Sequence, residues 1–480
     1  MNRSKKTFLW VAGVFIILLA LFFLLARHII NLGPVKTEVV NIFSEKTGGQ
    51  LAYEKAEISF FPQSRIVLHS VNFSIPEKIS GNVESLALYP SLLSLLKGKV
   101  KIAGFKALTP DLIVFDTELS HKKPGKKFGI AEMIASAVTE LETMSPNLGV
   151  DIEQGRLAVS DKNGPVFWFR KISARMVSTE KKSTIRLGCQ SNLWDRLSAD
   201  VELNPKNSEI GGQVTIHGFR PHRITGHLFP HALRKISASR INLAMDFQGT
   251  EANTIHGRIK GDIPVLTLKR GEIQTDVEVR SIRGAFKINR DIIEVVLDDM
   301  EISRPRLSLS GKLKKDRSSS RISLELEGRD IDVSAAKKTV LAAAGDIPVI
   351  VHIFDIVKSG HVPLITCTTR GNSLAELGKL KNLTIRGSLM DGGIFVPGVR
   401  RDLDNVKGDV VISGGILEGE NLTARLGNSQ GKNGSLKIGL SNKNAPFHLD
   451  IMIDADLAQL PPVLKQVVRH KKIFERAWPD

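Results

Sequence analysis

Cysteine is nearly absent from this sequence. Only Cys189 and Cys367 occur among 480 residues, and neither lies in a CxxC pair or a Cys/His zinc spacing. A disulfide framework or a structural zinc cluster therefore does not hold the fold together. We expect two unpaired, buried thiols, with a single bridge in an oxidising compartment as the alternative.

Tyrosine and tryptophan are also scarce, since the aromatic residues are mostly phenylalanine, with only two tyrosines and four tryptophans scattered along the chain. Readers of single-stranded nucleic acid need aromatic stacking platforms beside a basic groove, so this composition argues against nucleic acid as a partner. The net charge of +17 nevertheless favours anionic partners. Membrane lipids fit this charge, namely phospholipid head groups or a polyanionic glycolipid such as lipopolysaccharide.

Catalytic motifs are missing as well. The chain contains no HExxH metal pair and no GxSxG nucleophile elbow, and the stretch 427–432 lacks the spacing of a phosphate-binding loop. Four histidines crowd together without the spacing of a zinc site, namely His217, His222, His227 and His231. We therefore expect no enzyme activity, no cofactor and no metal.

One long hydrophobic run stands at the start. Residues 8–26 carry no charge and follow Arg3, Lys5 and Lys6. As a helix of about 29 Å this run is long enough to cross a bilayer, with the basic side in the cytoplasm. A cleavable signal peptide is the rival interpretation, but its apolar region is usually shorter. The predicted anchor residues are Phe8, Trp10, Phe15, Leu19, Phe22 and Leu25.

Beyond this run, alternation of apolar and polar residues dominates. The stretches 307–311, 322–327, 436–440 and 447–453 each place apolar side chains on one face, which is typical of half-buried strands. Turn signals at 161–165, 413–415 and 431–434 predict hairpins between strands. The fold class is therefore mainly β, an elongated and curved antiparallel sheet with a few short helices.

Helices are predicted at 34–46, 91–97, 130–144, 335–358 and 460–469, the fourth with a break near Gly345 and Pro348. The helix at 130–144 is amphipathic and follows a basic loop. The predicted organisation is a cytoplasmic tip and anchor (1–30), an N-terminal α/β segment (31–120), the basic loop and amphipathic helix (121–150), a β-sheet body (151–330), a helical insertion (331–370), a C-terminal β repeat (371–456) and a tail helix (457–480).

Several short stretches near the two ends of the chain stand in a characteristic order. They are FFP at 60–62, LHSVNF at 68–73, VESLAL at 83–88, LLSLLKGKVKI at 92–102, PDLIV at 110–114, IRGSL at 385–389, FVPG at 395–398, LDNVKG at 403–408 and LTARLG at 422–427. The first five follow the anchor and the short helix, and in this order they resemble the opening of the AsmA-like family of Gram-negative bacteria (AsmA/TamB type), which is related to bridge-like lipid transfer proteins. The last four resemble the repeated C-terminal β motif of that family.

The resemblance implies an inner-membrane anchor and a periplasmic body with an apolar β-groove, along which acyl chains slide while head groups stay in water. It implies no catalytic residues. The groove-lining candidates follow from alternation alone, and the same residues could form a closed core. They are Leu307, Leu309, Leu324, Leu326, Leu436, Ile438, Leu449 and Ile451.

Three functions remain in competition at this point. The leading one is an anchored lipid-handling protein that conducts or buffers phospholipid and supports outer-membrane biogenesis and envelope integrity. The second is a scaffold that assists assembly of outer-membrane proteins by pairing sheet edges with client strands. The third is a hydrolase that acts on envelope polymers.

Overall fold

A computed structural model describes residues 33–59, 63–90, 102–115, 149–161, 164–179, 182–204, 209–228, 236–250, 254–396, 401–440 and 446–456. Within these ranges the protein is mainly β, with antiparallel pairing and few helices, as predicted. The chain divides into two compact units, Met1–Ile216 and His217–Asp480. The predicted anchor, the helices expected at 91–97, 130–144 and 460–469, and the basic loop lie outside the described residues.

The first described element of this unit is the helix α1 (Gly33–Thr47), which matches the predicted short helix. Gly48 ends it with a positive φ of 68°, and its N–H donates to the Ser44 carbonyl. The strands that follow are β1 (Gln50–Ala52), β2 (Lys55–Ser59), β3 (Arg65–Ile75), β4 (Ile79–Pro90), β5 (Ile102–Leu108), β6 (Asp111–Phe115), β7 (Gly149–Asp161), β8 (Gly164–Ser178), β9 (Ser183–Ser191), β10 (Arg196–Asn204) and β11 (Glu209–Phe219), whose last three residues belong to the second unit.

Pairing in the first unit departs from a simple meander at one place. β1 and β2 both pair with β3, β3 with β4, and β4 with both β5 and β6, all antiparallel. β5 and β6 then pair with β7 in parallel. The order continues antiparallel through β8 and β9 to β10. A small core of Tyr53, Ala56, Val71, Val83 and Ala107 lies under the first strands.

The second unit contains a regular antiparallel meander. Its strands are β12 (Ile236–Thr250), β13 (Thr254–Arg270), β14 (Ile273–Ile288), β15 (Ile292–Arg304), β16 (Arg306–Asp316), β17 (Ile322–Asp332), β18 (Val357–Gly371), β19 (Leu383–Val396), β20 (Arg401–Ser413), β21 (Ile416–Leu426), β22 (Ser429–Gly439) and β23 (Phe447–Asp454). Each strand pairs with the next one along the chain. The four strands predicted from alternation are confirmed as parts of β16, β17, β22 and β23.

The α-helices described in the second unit are α2 (Pro221–Leu228), α3 (Val333–Ala344), α4 (Pro348–Ile356) and α5 (Leu374–Leu377). The prediction of helix at 335–358 with a break near Gly345 and Pro348 is confirmed by α3 and α4. Asp332 is the N-cap of α3, since its Oδ1 accepts a hydrogen bond from the Ala335 N–H at 2.8 Å. Pro348 begins α4, where a missing N–H costs nothing.

The turn predicted at 431–434 is wrong. β22 runs through these residues, and the hairpin between β21 and β22 turns earlier, at Gly427 and Asn428. Asn433 has a φ of 51° and lies where the register with β23 shifts, so the Asn-Gly pair forms a bulge inside the strand. Asn-Gly favours a left-handed residue in a bulge as much as in a turn, which explains the error. The turn expected at 413–415 is confirmed, with Gly414 and Gly415 both at positive φ.

Candidate functional site: an apolar sheet face with a helical cover

The pairing registers of the second unit align an unbroken row of apolar residues and glycines across all twelve strands. Each residue is the direct cross-strand partner of the next. Row A runs Met245, Ile259, Gly284, Leu297, Gly311, Leu326, Cys367, Ile385, Ile412, Leu417, Ile438 and Phe447. At about 4.8 Å per strand, row A is on the order of 50 Å long.

A second row lies beside the first on the same face. Row B runs Leu243, Gly261, Ile282, Met300, Leu309, Gly328, Ile365, Gly387, Val410, Gly419, Leu436 and Leu449. Neither row contains a polar or charged side chain. Together, rows A and B form a continuous apolar track over the sheet of this unit.

Glycines in the rows let large neighbours lie flat on the sheet. A Cβ on Gly261 would come within 2.8 Å of a Leu243 methyl group, and one on Gly311 within 2.7 Å of a Leu326 methyl group. The side chains of these leucines therefore lie over the glycines of the adjacent strands. The track is smooth for this reason, because large residues fill the space that the glycines leave.

The opposite face of the sheet is charged. Cross-strand ion pairs link Lys312 to Glu294 at 3.1 Å, Arg283 to Asp299 at 3.0 Å and Lys437 to Glu418 at 2.7 Å. The period-two pattern of the sequence thus separates a wet face from an apolar one. Left-handed Asp and Asn residues mark register shifts in the later strands, and such bulges bend a sheet. These residues are Asp391, Asn405, Asn421 and Asn433.

Burial changes along the track. Between β12 and β18 the row A residues other than glycine are half-buried or exposed, and Leu326 is 38% exposed. Between β20 and β22 the row is closed, with Ile412 at 3% and Ile438 at 7% exposure. One end of the track therefore lies in a packed core, whereas the other is accessible.

Helices α3 and α4 pack on β13, β14 and β17–β19, and side chains of both helices belong to the core at the closed end. Val333 and Ala336 of α3 and Ile353 and Phe354 of α4 face residues of both rows across a cavity of about 240 Å³. The walls of this cavity are apolar, with Ile365, Val410 and Leu436 of row B and Ile385, Ile412 and Leu417 of row A among them. The other side of α3 packs Ala342 against Ile263, Leu268, Val277 and Val279 of β13 and β14.

Two contacts fix α3 at its ends. Its N-terminal N–H is capped by Asp332, and at its C-terminal end Nη1 of Arg270 donates to the Leu341 carbonyl at 3.4 Å. A cation at a helix C-terminus also offsets the negative end of the helix dipole. Gly345 leaves room for this guanidinium, because a Cβ there would overlap it.

The eight predicted groove residues can now be placed. Leu326 and Ile438 lie in row A, and Leu309, Leu436 and Leu449 in row B. Leu307 pairs with Ile302, Leu324 pairs with Leu313, and Ile451 lies over Gly431 and Gly434. Leu436 and Ile438 are buried in a core that also contains Val396, Leu417 and Leu422. For these two residues the closed-core alternative describes the structure, whereas Leu326 is exposed.

Sequence reasoning missed most of the site. It did not find the row glycines or the residues of β12 to β15 as part of the apolar face, although it interpreted the helical stretch 335–358 as a plug or cap. Glycines inside alternating strands, such as Gly284 and Gly328, were the available signal, since a strand glycine often marks close approach of a neighbour.

The two thiols and His222 lie in environments that disfavour their charged forms. Both cysteines are free, and burial raises the pKa of Cys189 and of Cys367, which disfavours the thiolate. Cys189 is buried, but Cys367 is only partly so. Burial lowers the pKa of His222, and the positive charges of Arg223 and Arg220 lower it further. The Nδ1 atom of His222 lies 3.0 Å from the Ser239 hydroxyl. The described part of the chain holds no group of three or more potential metal ligands.

Comparison with known proteins adds no assignment. No protein-family model matches the chain, and no curated protein is similar to it. The resemblance to the AsmA-like family therefore stays a prediction. Among the described helices none has the length and apolar character needed to span a bilayer, and the predicted anchor lies outside these residues.

Proposed function

We propose that this protein is a membrane-anchored, periplasmic lipid-handling protein that holds or conducts the acyl chains of phospholipids, and thereby supports outer-membrane biogenesis. The apolar track of rows A and B, whose row A side chains between β12 and β18 are half-buried or exposed, carries this proposal. Residues 8–26 supply the inner-membrane anchor, with the N-terminus in the cytoplasm. The protein acts as a binder and carrier rather than as an enzyme.

The energetics of such a track suit lipid. Each acyl methylene removed from water contributes about 0.8 kcal/mol, so a chain that covers several strands binds firmly. A uniform track of apolar residues offers similar contacts at each strand, which allows a chain to shift along it. The charged opposite face keeps the sheet soluble, and the basic chain as a whole attracts anionic head groups.

The test is lipid retention in paired variants of the full chain. Leu326→Asp puts a charge in the middle of row A, at an exposed position where folding tolerates it. Ser323→Asp is the matched control, since it adds the same charge to β17 on the opposite face, beside Lys314 and Arg370. After purification in a mild detergent, native mass spectrometry and lipid extraction quantify bound phospholipid.

We expect the wild type and Ser323→Asp to retain phospholipid, and Leu326→Asp to lose most of it while its circular dichroism stays unchanged. A lipid-free wild type would contradict the proposal. Equal retention by all three proteins would contradict the assignment of lipid to the track.

The scaffold function is the second candidate, because one strand edge favours it. Within the described residues, β23 pairs only with β22. Its residues Met452 and Ile453 are 67% and 58% exposed, so an edge strand with apolar side chains is available for strand addition. Changing both residues to Lys should abolish co-purification of an outer-membrane barrel protein, with Asp454→Lys as control. Unchanged lipid binding in the same variant would separate the two functions.

A further inference from the structure

A polar cavity of about 500 Å³ lies in the first unit, where the pairing of β4 passes from β5 to β6. Four of its side chains stand in one cross-strand row. Asn72 of β3 pairs with Asn82 of β4, Asn82 with Asp111 of β6, and Asp111 with Arg156 of β7. This row brings two amides, a carboxylate and a guanidinium onto one open surface.

The neighbouring row carries an unusual backbone. Ser70, Thr109 and Gln154 all line the cavity, and their φ angles are 54°, 47° and 55°. Left-handed backbone is unfavourable for such residues, above all for β-branched Thr. In β19 to β22 of the second unit, comparable positions are held by Asp391, Asn405, Asn421 and Asn433, which tolerate this conformation. The polar side chains of the cavity are therefore placed at a conformational cost.

Thr109 and Ser70 each hold a carboxylate. The Thr109 hydroxyl donates to Glu84, and the Ser70 hydroxyl donates to Glu54 at 3.0 Å. Within the described residues, Glu84 has no cation within ion-pair distance, and the Thr109 hydroxyl is its hydrogen-bond donor. Glu84 is thus a fixed acceptor beside the amides of Asn72, Asn82 and Gln154, which is a set of groups that suits an ammonium ion.

The other end of the cavity suits an anion. The guanidinium of Arg156 is 68% exposed and only 3.8 Å from Asp111, so it keeps donors for a ligand. Planar guanidinium groups bind phosphate and carboxylate in a bidentate manner. The strands β4 and β7, which carry Glu84 and Arg156, lie two strand spacings apart, about 10 Å. The long side chain of Arg156 reduces the distance between its guanidinium and the Glu84 carboxylate.

We propose that this cavity binds a small zwitterion that carries an ammonium group and an anionic group, of the phosphoethanolamine type. Glu84 and the amide oxygens hold the ammonium, and Arg156 holds the anion. The lining contains no aromatic ring on which a sugar could stack. The site lies in the first unit and does not depend on the apolar track of the second.

Calorimetry on the full chain in detergent tests this site with three soluble probes. Phosphoethanolamine carries both charges, ethanolamine only the ammonium, and methyl phosphate only the anion. We expect saturable binding of phosphoethanolamine and at least tenfold weaker binding of the other two. Absence of saturable binding by phosphoethanolamine would overturn the proposal, and so would equal binding of all three probes.

Variants assign the two ends. Glu84→Gln keeps an acceptor for Thr109 but removes the charge, and Arg156→Gln removes the cation. Each should weaken phosphoethanolamine binding at least tenfold. Glu202→Gln is the control, because Glu202 pairs with Lys182 at 2.8 Å and does not line the cavity. Equal affinity in Glu84→Gln and the control would overturn the assignment of Glu84.

Thr109→Gly separates binding from folding. Glycine relieves the left-handed backbone but leaves Glu84 unheld, so the melting temperature should not fall whereas the affinity should fall severalfold. An unchanged affinity would show that Thr109 has only a structural role and would overturn its part in the site.

Vesicles containing phosphatidylethanolamine, compared with phosphatidylglycerol vesicles, distinguish a lipid head group from a free metabolite as the source of the zwitterion. Lipid-track variants such as Leu326→Asp should leave this binding unchanged.

Discussion

Filling the cavity under α3 and α4 should expel an acyl chain without unfolding the protein. Ala336 is 2% exposed and lines this cavity, so Ala336→Phe directs a ring into it. Ala335 lies on the exposed side of the same helix, and Ala335→Phe is therefore the matched control.

The magnitude follows from the cavity volume. An apolar cavity of about 150 Å³ holds benzene, so the 240 Å³ found here has room for about ten carbon atoms of a chain. The ring introduced by Ala336→Phe would take the place of about six of them. At about 0.8 kcal/mol for each methylene, the lost binding energy is about 5 kcal/mol. This loss lowers the affinity of the cavity by about three orders of magnitude.

The assay is photo-crosslinking with a fatty acid that carries its reactive group near the terminal methyl, followed by peptide mapping. In the wild type and in Ala335→Phe, label should appear on α4, for example at Ile353 and Phe354. In Ala336→Phe this label should disappear, while label on Leu326, which does not line the cavity, persists.

Delipidated protein gives the complementary measurement. With no chain in the cavity, the ring fills empty space, and cavity filling typically stabilises a protein by about 0.5–2 kcal/mol. The melting temperature of delipidated Ala336→Phe should therefore not fall. Undiminished label on α4 in a folded Ala336→Phe protein would refute the reasoning, since the cavity would not be where the chain binds.

Three further predictions concern burial, capping and pH. Ile438→Ala should destabilise the second unit by about 3 kcal/mol and Leu326→Ala by less than about 1 kcal/mol, because Ile438 is 7% exposed and Leu326 38%. Hydrogen exchange of β21 and β22 measures the destabilisation by Ile438→Ala. Equal losses of stability in the two variants would contradict the difference in burial. Asp332→Ala should cost about 1 kcal/mol and speed exchange in α3, whereas Asp332→Asn, which can still cap, should not. Hydrogen bonds from the Ser318 hydroxyl and the Ser319 N–H lower the pKa of Asp316 from 3.8 to about 2. Because the folded pKa lies below the unfolded one, the turn after β16 should keep its stability above about pH 4 and lose it as the pH falls toward 2. Carboxyl NMR titration checks this, and a midpoint near 3.8 would contradict it.

Local structure was largely predictable. Alternation found β16, β17, β22 and β23, and the break between α3 and α4 was evident from Gly345 and Pro348. The error at 431–434 shows the limit of such signals, because Asn433 adopts the same left-handed backbone in a bulge as in a turn. A local pattern specifies the conformation of a residue but does not say whether the strand continues beyond it.

For the candidate site, the sequence predicted which side of each strand is apolar but not which of its residues are buried. Alternation correctly put Leu309, Leu326, Leu436 and Ile438 on one side of their strands, but it could not say that Leu326 would be exposed and Ile438 buried. That difference arises from tertiary packing, because Ile438 belongs to a core with Leu417, Leu422 and Leu436, whereas Leu326 does not.

By itself the sequence determined the scarcity of cysteine, the β-rich fold and the separation of an apolar from a charged face. These properties depend on composition and on the period of two residues, which are local. Only the tertiary structure decided that the apolar faces of twelve strands align in rows A and B, because each bulge shifts the register with the next strand and the shifts accumulate across the sheet. It also decided which part of the track is covered, since burial depends on how the helices pack against strands far from them in sequence.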